Sequence, residues 1–242
     1  MRAALLACLA AMAMPAAAST GDAADLALLG FSADGAIFAF EEHGIQDGSG
    51  FPYANRYYID TGKDAFLPGS PVRVRLDDEG QTVRAARDAA RQKGETIITD
   101  AELAENPGYT AAMNAVAELS ADPFRVVANS SPAFARPFDP MEFRIEEFAA
   151  RPGATFCPEP EQIKGFRLTS VDSRPGGVTK VLHEDKDVPA SRGCPLGYRI
   201  GAVQTYFPEG KSGIAMIVVS VRSFGFEGPD YRWLAVATTL PD

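Results

Sequence analysis

The sequence predicts a mainly β (α+β) protein with about nine strands in antiparallel sheets, forming a sandwich or a partial propeller, with a helical insert around residues 80–119. Three observations predict this class. Short segments with an apolar period of two recur along most of the chain. Turns that contain Gly or Pro separate them. In one internal region the apolar period changes to that of a helix.

The first third of the chain contains strands of two kinds. Ala36 to Glu42 has apolar side chains on both faces, which predicts a strand buried between two layers. Arg56 to Asp60 is the next strand and is rich in tyrosine. In residues 70–76 (SPVRVRL) valine and leucine alternate with arginine, which predicts a half-exposed strand with its arginines on the solvent face.

The helical insert follows. Small apolar residues recur at i, i+3 and i+7 from Val83 with arginines opposite them, which predicts an amphipathic helix that Gly94 ends. Thr99 to Glu102 (TDAE) is a capping box that opens a second short helix. The segment from Thr110 to Leu119 is predicted to be a third helix.

Strands return after residue 122, and the last third of the chain has the most regular pattern. The predicted strands are 124–128, 141–148, 166–171, 178–183, 198–207, 213–224 and 231–240. Residues 19–242 form either a single β-rich domain or two subdomains, and the sequence leaves both open. For two subdomains the linker would be residues 128–140, which are rich in proline.

Residues 1–18 have the features of a cleaved secretory signal peptide. A positive start at Arg2 precedes an apolar run from Ala3 to Met14, and small residues stand at positions 16 and 18. The apolar run is too short to span a bilayer as a helix. We therefore expect cleavage after Ala18 and an exported chain without an integral membrane segment.

The net charge and the cysteine content indicate which partners are excluded and whether a disulfide forms. The formal net charge is −9, which argues against nucleic acid as a partner because nucleic acids select basic surfaces. Cys8 belongs to the predicted signal peptide, so the exported chain keeps Cys157 and Cys194. An even pair in an oxidising compartment predicts a disulfide, whereas a catalytic thiolate would need a neighbouring histidine.

Residues 41–60 (EEHGIQDGSGFPYANRYYID) form the most unusual stretch of the chain. It combines carboxylates, a histidine, several glycines and aromatic side chains, which suits a binding loop with an apolar platform beside polar groups. The candidate binding residues are Glu42, His43, Gln46, Asp47, Phe51 and Tyr53. The alternative is a loop without a ligand, in which Asp47-Gly48 and Ser49-Gly50 only build turns.

No catalytic residue, metal ligand or cofactor is predicted. The chain has only His43 and His183 as histidines, and it contains neither a zinc-binding spacing nor a nucleophile elbow. Glu41 and Glu42 would point to opposite faces of a strand. Asp47 could approach one of them across the loop, and two carboxylates about 5–9 Å apart would suit glycoside hydrolysis.

Two groups of residues carry resemblances. LGFSADGAIFAFEEHG (residues 29–44) resembles a WD40-like propeller repeat. Together with QDGSGFPY (46–53), SRGCPLGY (191–198) and FGFEGPDYRW (224–233), it closely resembles a bacterial family of predicted secreted proteins, domain-of-unknown-function family 2259. The resemblance implies export from a bacterial cell, to the periplasm or the medium. It provides no catalytic or binding residues to carry over.

Residues 28–60 and 204–238 are also weakly similar to each other. Phe31 corresponds to Tyr206, and Arg56 corresponds to Arg232. The two segments are either an internal duplication or a chance similarity between turns.

Three functions follow from these features. The first is a non-enzymatic periplasmic binding or interaction protein, whose partner is an unknown periplasmic protein or a small ligand. The second is a cell-envelope hydrolase that uses carboxylates of the 41–47 region. The third is a purely structural envelope protein.

Overall fold

The computed structural model describes residues 21–132, 140–153, 156–172 and 176–240. They form thirteen strands and two α-helices, which confirms the mainly β class although the sequence predicted fewer strands. The strands are β1 (Asp25–Phe31), β2 (Ile37–Ile45), β3 (Pro52–Asp60), β4 (Ala65–Phe66), β5 (Val72–Arg75), β6 (Tyr109–Met113), β7 (Arg125–Ala128), β8 (Met141–Ala149), β9 (Lys164–Val171), β10 (Lys180–Glu184), β11 (Pro195–Tyr206), β12 (Ile214–Ser223) and β13 (Asp230–Thr239). The helices are α1 (Val83–Gly94) and α2 (Asp100–Glu105).

Two predictions fall wholly or partly outside these residues. The predicted signal peptide, residues 1–18, lies outside the described residues. So do residues 133–139 of the predicted linker. Whether the exported chain forms one domain or two subdomains therefore stays a prediction.

The strands form three antiparallel sheets. The first sheet has the order β1-β2-β3, and both β4 and β5 pair with the far edge of β3. The central sheet has the order β13-β12-β11-β6, and the third sheet has the order β10-β9-β8-β7. In the described residues these sheets do not close into a propeller, so the propeller-type repeat is not confirmed. The sheets instead stack face to face.

The central sheet is covered on both faces, which explains the long apolar run in β12. Ile217 and Val219 pack with Phe143 and Phe166 of the third sheet. Met216, on the opposite face of the same strand, packs against the first sheet. A strand buried on both faces has apolar residues at successive positions rather than at alternate ones.

The two helices cover the outer face of the first sheet. Ala86 and Ala90 of α1 pack against Ala54 of β3. A Cβ on Gly94 would lie 1.8 Å from Tyr58 Oη, and the residue that follows Gly94 has ordinary right-handed helical angles. Gly94 is therefore present because the Tyr58 side chain needs its space. The helix ends at Gly94 as predicted, but the residue that follows it is not a left-handed glycine cap.

Of the predicted capping box the Thr99 N-cap bond is confirmed, whereas the Glu102 carboxylate accepts from Ala33 N at 3.3 Å, and the third helix is not confirmed. Thr99 Oγ1 accepts a hydrogen bond from Glu102 N at 3.2 Å, where α2 begins. The segment predicted as a third helix overlaps β6, which pairs with β11 through Ala112 and Val203. Pairing with an otherwise open sheet edge outweighs the helix propensity of an alanine-rich segment, because propensity is a weak local preference.

The predicted disulfide is confirmed. Cys157 and Cys194 are bonded, with their Cα atoms 5.7 Å apart. The bridge packs with Ile163 and Val188 in a small apolar cluster. It joins the segment that precedes β9 to the segment that precedes β11.

The two weakly similar segments have the same local architecture. β1 to β3 and β11 to β13 are each three antiparallel strands joined in sequence, and they lie in adjacent sheets. The ring of Phe31 stacks on the ring of Tyr206 with centroids 4.9 Å apart. The proposed duplication stays a prediction, since packed antiparallel sheets also bring such turns together without common descent.

Candidate functional site

The loop between β2 and β3 (residues 46–51) is closed by its own hydrogen bonds. Gln46 N donates to Phe51 O at 2.8 Å, and Gly50 N donates to Gln46 O at 3.0 Å. Gly48 and Gly50 have φ angles of 77° and 68°, which residues with side chains adopt only at a cost. The predicted strand, loop and strand are confirmed, and the loop is a compact turn.

The tip of this loop is fixed to a second loop, residues 224–229 between β12 and β13. Asp47 Oδ2 accepts a hydrogen bond from Glu227 N at 2.6 Å. A Cβ on Gly48 would lie 2.9 Å from Phe226 Cδ1, so the Phe226 ring lies against the loop backbone. Phe226 is itself 83% exposed. The predicted binding residue Asp47 therefore joins the two loops into one surface.

Tyr53 anchors the end of the loop at the start of β3. Its hydroxyl donates to Asp22 Oδ1 at 3.0 Å, and Arg232 Nη2 donates to Asp22 Oδ2 at 2.6 Å. The Arg232 guanidinium lies 5.0 Å from the Tyr53 ring centroid. Burial raises the pKa of Tyr53 well above its usual range, so the hydroxyl remains a hydrogen-bond donor. Tyr53 therefore anchors the end of the loop to Asp22.

Glu42 lies inside the molecule, between the first sheet and β13. Its Oε1 accepts hydrogen bonds from Tyr57 Oη at 2.7 Å and Asn55 Nδ2 at 2.9 Å. Its Oε2 accepts one from Trp233 N at 2.8 Å. Glu42 is 1% exposed, so it lies behind Asn55 rather than on the surface.

Glu41 and His43 lie on the opposite face of β2, toward α1. Glu41 accepts from Arg56 Nε at 2.8 Å and from Arg87 Nε at 2.5 Å. His43 Nδ1 lies 3.5 Å from Glu41 Oε1. Burial and the nearby Arg87 lower the pKa of His43, while Glu41 and Asp25 act in the opposite direction. The structure thus separates His43 from the face that carries Tyr53.

No feature of these carboxylates favours the hydrolase hypothesis. Glu41 and Glu42 point to opposite faces of β2, as predicted. Two arginines hold Glu41, three donors hold Glu42, and a backbone amide holds Asp47. Each of the three carboxylates therefore already accepts hydrogen bonds within the folded chain.

An open cleft of about 460 Å³ lies beside the loop, between β3, β5 and β13. Tyr53 lies directly opposite Arg75 in the β3–β5 register, and Asn55 lies opposite Arg73. We call this cleft the arginine cleft. Its lining residues are Gln46, Tyr53, Asn55, Arg73, Val74, Arg75, Asp77 and Arg232.

The three arginines of the arginine cleft differ in their partners. Arg75 Nε donates to Asp77 Oδ1 at 2.6 Å, and Arg75 Nη1 donates to Gln46 Oε1 at 3.1 Å. The Arg75 guanidinium lies 5.7 Å from the centroid of the Phe51 ring. Among the described residues, Arg73 is the arginine of this cleft for which no ion pair is formed.

A second cleft, of about 630 Å³, lies on the other side of the loop. Much of its lining consists of glycines and of acidic side chains. Its lining residues are Gly21, Asp22, Ala23, Asp25, Gly44, Ile45, Gln46, Asp47, Gly48, Gly50, Val83 and Glu227. Gln46 therefore lies between a basic cleft and an acidic one.

Two of the predicted site residues, Gln46 and Tyr53, line the arginine cleft, and Phe51 lies under Arg75. Sequence reasoning missed the arginines. The signal was present in the VRVR pattern of β5, which places Arg73 and Arg75 on the face opposite the buried valines. That pattern is equally typical of a plain solvent face. It could not show that Arg232 of a distant strand lies across from them.

In the described residues the protein has three stacked antiparallel sheets, and a disulfide connects the central sheet with the third. A braced loop lies between a basic cleft and an acidic cleft. In the part of the chain that the structure describes, no helix is long and apolar enough to cross a membrane.

The comparison with protein families agrees with the resemblance noted in the sequence. The model of the family described as "Predicted secreted protein (DUF2259)" matches residues 39–239, and the chain belongs to this family. The description of the family supports secretion. No curated protein and no solved structure matches the chain.

Proposed function

We propose that this chain is a periplasmic, non-enzymatic protein that binds a small ligand beside the β2–β3 loop. The observation that carries the proposal is the bracing of this loop between two open clefts. The loop closes on itself, its tip is hydrogen-bonded to Glu227, and Tyr53 anchors its end to Asp22. A rigid loop loses little conformational entropy when a ligand binds.

The dimensions and chemistry of the clefts support the same function. Volumes of about 460 and 630 Å³ fall in the range of small-molecule sites. Both clefts combine hydrogen-bonding groups with apolar surface from Tyr53, Val74 or Ile45. The disulfide between Cys157 and Cys194 supports an oxidising compartment such as the periplasm.

Ligand-induced stabilisation tests this function. The purified mature chain would be melted with and without the low-molecular-mass fraction of a periplasmic extract, because a ligand that binds only the folded state raises Tm. Gln46 lines both clefts, so Gln46→Trp places a bulky side chain where it narrows them. Gln92→Trp places the same side chain on the exposed surface of α1 as a control.

We expect the fraction to raise the Tm of the wild-type chain and of Gln92→Trp, and to leave the Tm of Gln46→Trp unchanged. For each variant the Tm with the fraction is compared with the Tm without it, so a loss of intrinsic stability does not affect the result. An equal response of both variants would place the ligand elsewhere on the chain and so contradict binding beside the loop. No response of the wild-type chain would contradict ligand binding and would favour a structural envelope role.

A further inference from the structure

We infer that the ligand of the arginine cleft is anionic and that Arg73 and Arg75 bind its carboxylate or phosphate group. The inference rests on the proposed function and specifies the chemical class of its ligand. Neither arginine is among the residues that the sequence singles out as a binding candidate.

The charge distribution is the first argument. The whole chain carries a formal net charge of −9, yet the arginine cleft has three arginines and Asp77 as its charged lining. An acidic protein repels anions at long range, so a local excess of guanidinium groups is needed to hold one. Arginine is also the side chain whose planar fork matches a carboxylate or a phosphate.

The partners of each arginine are the second argument. Asp22 orients Arg232, while Asp77 and Gln46 orient Arg75. The bonds of Arg75 use its Nε and one Nη1 hydrogen, so its other Nη hydrogens remain available to donate. Two of the three guanidinium groups are thus already held in place, which lowers the cost of binding a ligand.

Arg73 is the arginine of this cleft whose positive charge is not paired with a carboxylate of the described residues. It is exposed, it lies opposite Asn55 in the register, and among the described residues it forms no ion pair. Asn55 Nδ2 donates to the buried Glu42, which fixes the amide behind Arg73. An anion between Arg73 and Arg75 would meet two guanidinium groups two residues apart on one face of β5.

A different explanation of these arginines is protection of a sheet edge. Among the described strands β5 pairs only with β3, and charged side chains on such an edge strand discourage pairing with another chain. Edge protection needs charge but no defined geometry. Arg73→Lys would preserve it, whereas recognition of an oxyanion by two guanidinium groups depends on the planar fork.

The test is a calorimetric titration of the purified mature chain with inorganic phosphate and, separately, with succinate, both at constant ionic strength. The variants are Arg73→Gln, Arg75→Gln and Arg73→Lys. The matched control is Arg84→Gln, which removes one positive charge from a side chain that is 92% exposed on α1. Constant ionic strength removes general screening from the comparison.

We expect saturable binding of at least one of the two anions at one site per chain. Arg73→Gln and Arg75→Gln should each weaken it about tenfold or more, since hydrogen bonds to charged groups are among the stronger ones. Arg73→Lys should also weaken it, by less than Arg73→Gln, because lysine keeps the charge but loses the planar fork. Arg84→Gln should change it less than about twofold. The preferred anion tells a phosphate ligand from a carboxylate ligand.

Two outcomes would overturn the inference: no saturable binding of either anion, or equal losses in Arg73→Gln and Arg84→Gln. Passing the periplasmic fraction over an anion exchanger separates this failure from failure of the proposed function. If the material that the exchanger does not retain still raises the Tm of the wild-type chain, the protein binds a ligand but the ligand is not anionic. If neither this material nor the untreated periplasmic fraction raises the Tm, the proposed function fails as well.

Discussion

Glu42 is a carboxylate with 1% exposure whose two oxygens accept three hydrogen bonds. In Glu42→Gln the side chain keeps its shape, but one carboxylate oxygen is replaced by an NH₂ group. This NH₂ group must then face a group that now donates to Glu42, such as Trp233 N. One buried donor loses its acceptor, which should lower the free energy of unfolding by about 1–3 kcal/mol. Urea unfolding measures this loss, with Glu79→Gln as an exposed control. Unchanged stability together with a lost ligand response would instead give Glu42 a direct part in binding.

His43 should make the stability of the protein depend on pH. Burial and Arg87 lower its pKa below the usual value of about 6.5. The unfolded chain therefore binds the proton first, so the contribution of His43 is fully present above about pH 6.5 and is lost as the pH falls through the folded-state pKa.

The measurement is the free energy of unfolding of the wild-type chain and of His43→Gln at about pH 7.5 and about pH 5.5, on either side of the ordinary histidine pKa. Acidification should destabilise the wild-type chain more than the variant. Equal losses in the two proteins would show that other groups account for the acid sensitivity.

At the residue scale, the sequence predicted the parts of the site that depend on local chemistry. Gln46, Tyr53 and the glycines of the loop stand out because their residue types suit turns and anchors. Arg73 and Arg232 do not stand out, since an arginine on a half-exposed strand is ordinary. Their role depends on β5 and β13 lining the same cleft, although the two strands are far apart in sequence.

At the element scale, prediction succeeded where the deciding bonds are local. The N-cap bond of α2 joins Thr99 to a residue three positions later, so the sequence contains both of its partners. β6 is different, because its hydrogen-bond partner is β11, and Val203 pairs with Ala112 across a long sequence separation. A run such as TAAMNAVAEL favours a helix until that sheet edge is present.

Gly94 in α1 allows a test of one such contact between elements. Helix propensity alone would make Gly94→Ala stabilising by about 1 kcal/mol. A Cβ at this position would lie 1.8 Å from Tyr58 Oη, and Tyr58 is fully buried, so we expect destabilisation instead. Urea unfolding of Gly94→Ala gives the sign, and Lys93→Ala on the exposed neighbouring position is the control. A more stable Gly94→Ala would mean that Tyr58 lies elsewhere.

At the scale of the whole molecule, the apolar pattern predicted layers but not their number. Apolar residues on both faces of Ala36 to Glu42 predicted burial between two layers, and β2 confirms it: Phe40 packs with the central sheet and Ala39 packs with Leu103 of α2. The order of the three sheets depends on pairings such as β6 with β11, which no local pattern specifies. The stacking matters for function because it places β13 across from β5 and so creates the arginine cleft.

The central claim is that this scaffold holds a binding site beside the β2–β3 loop. Its most direct test is a ¹H–¹⁵N chemical-shift titration of the uniformly labelled mature chain with the low-molecular-mass periplasmic fraction. The predicted result is a saturable set of shifts confined to the loop, β5 and the start of β13, with Gln46, Arg73 and Arg75 among them and the third sheet unchanged. Shifts that cluster on the third sheet, or no shifts at any concentration, would contradict it.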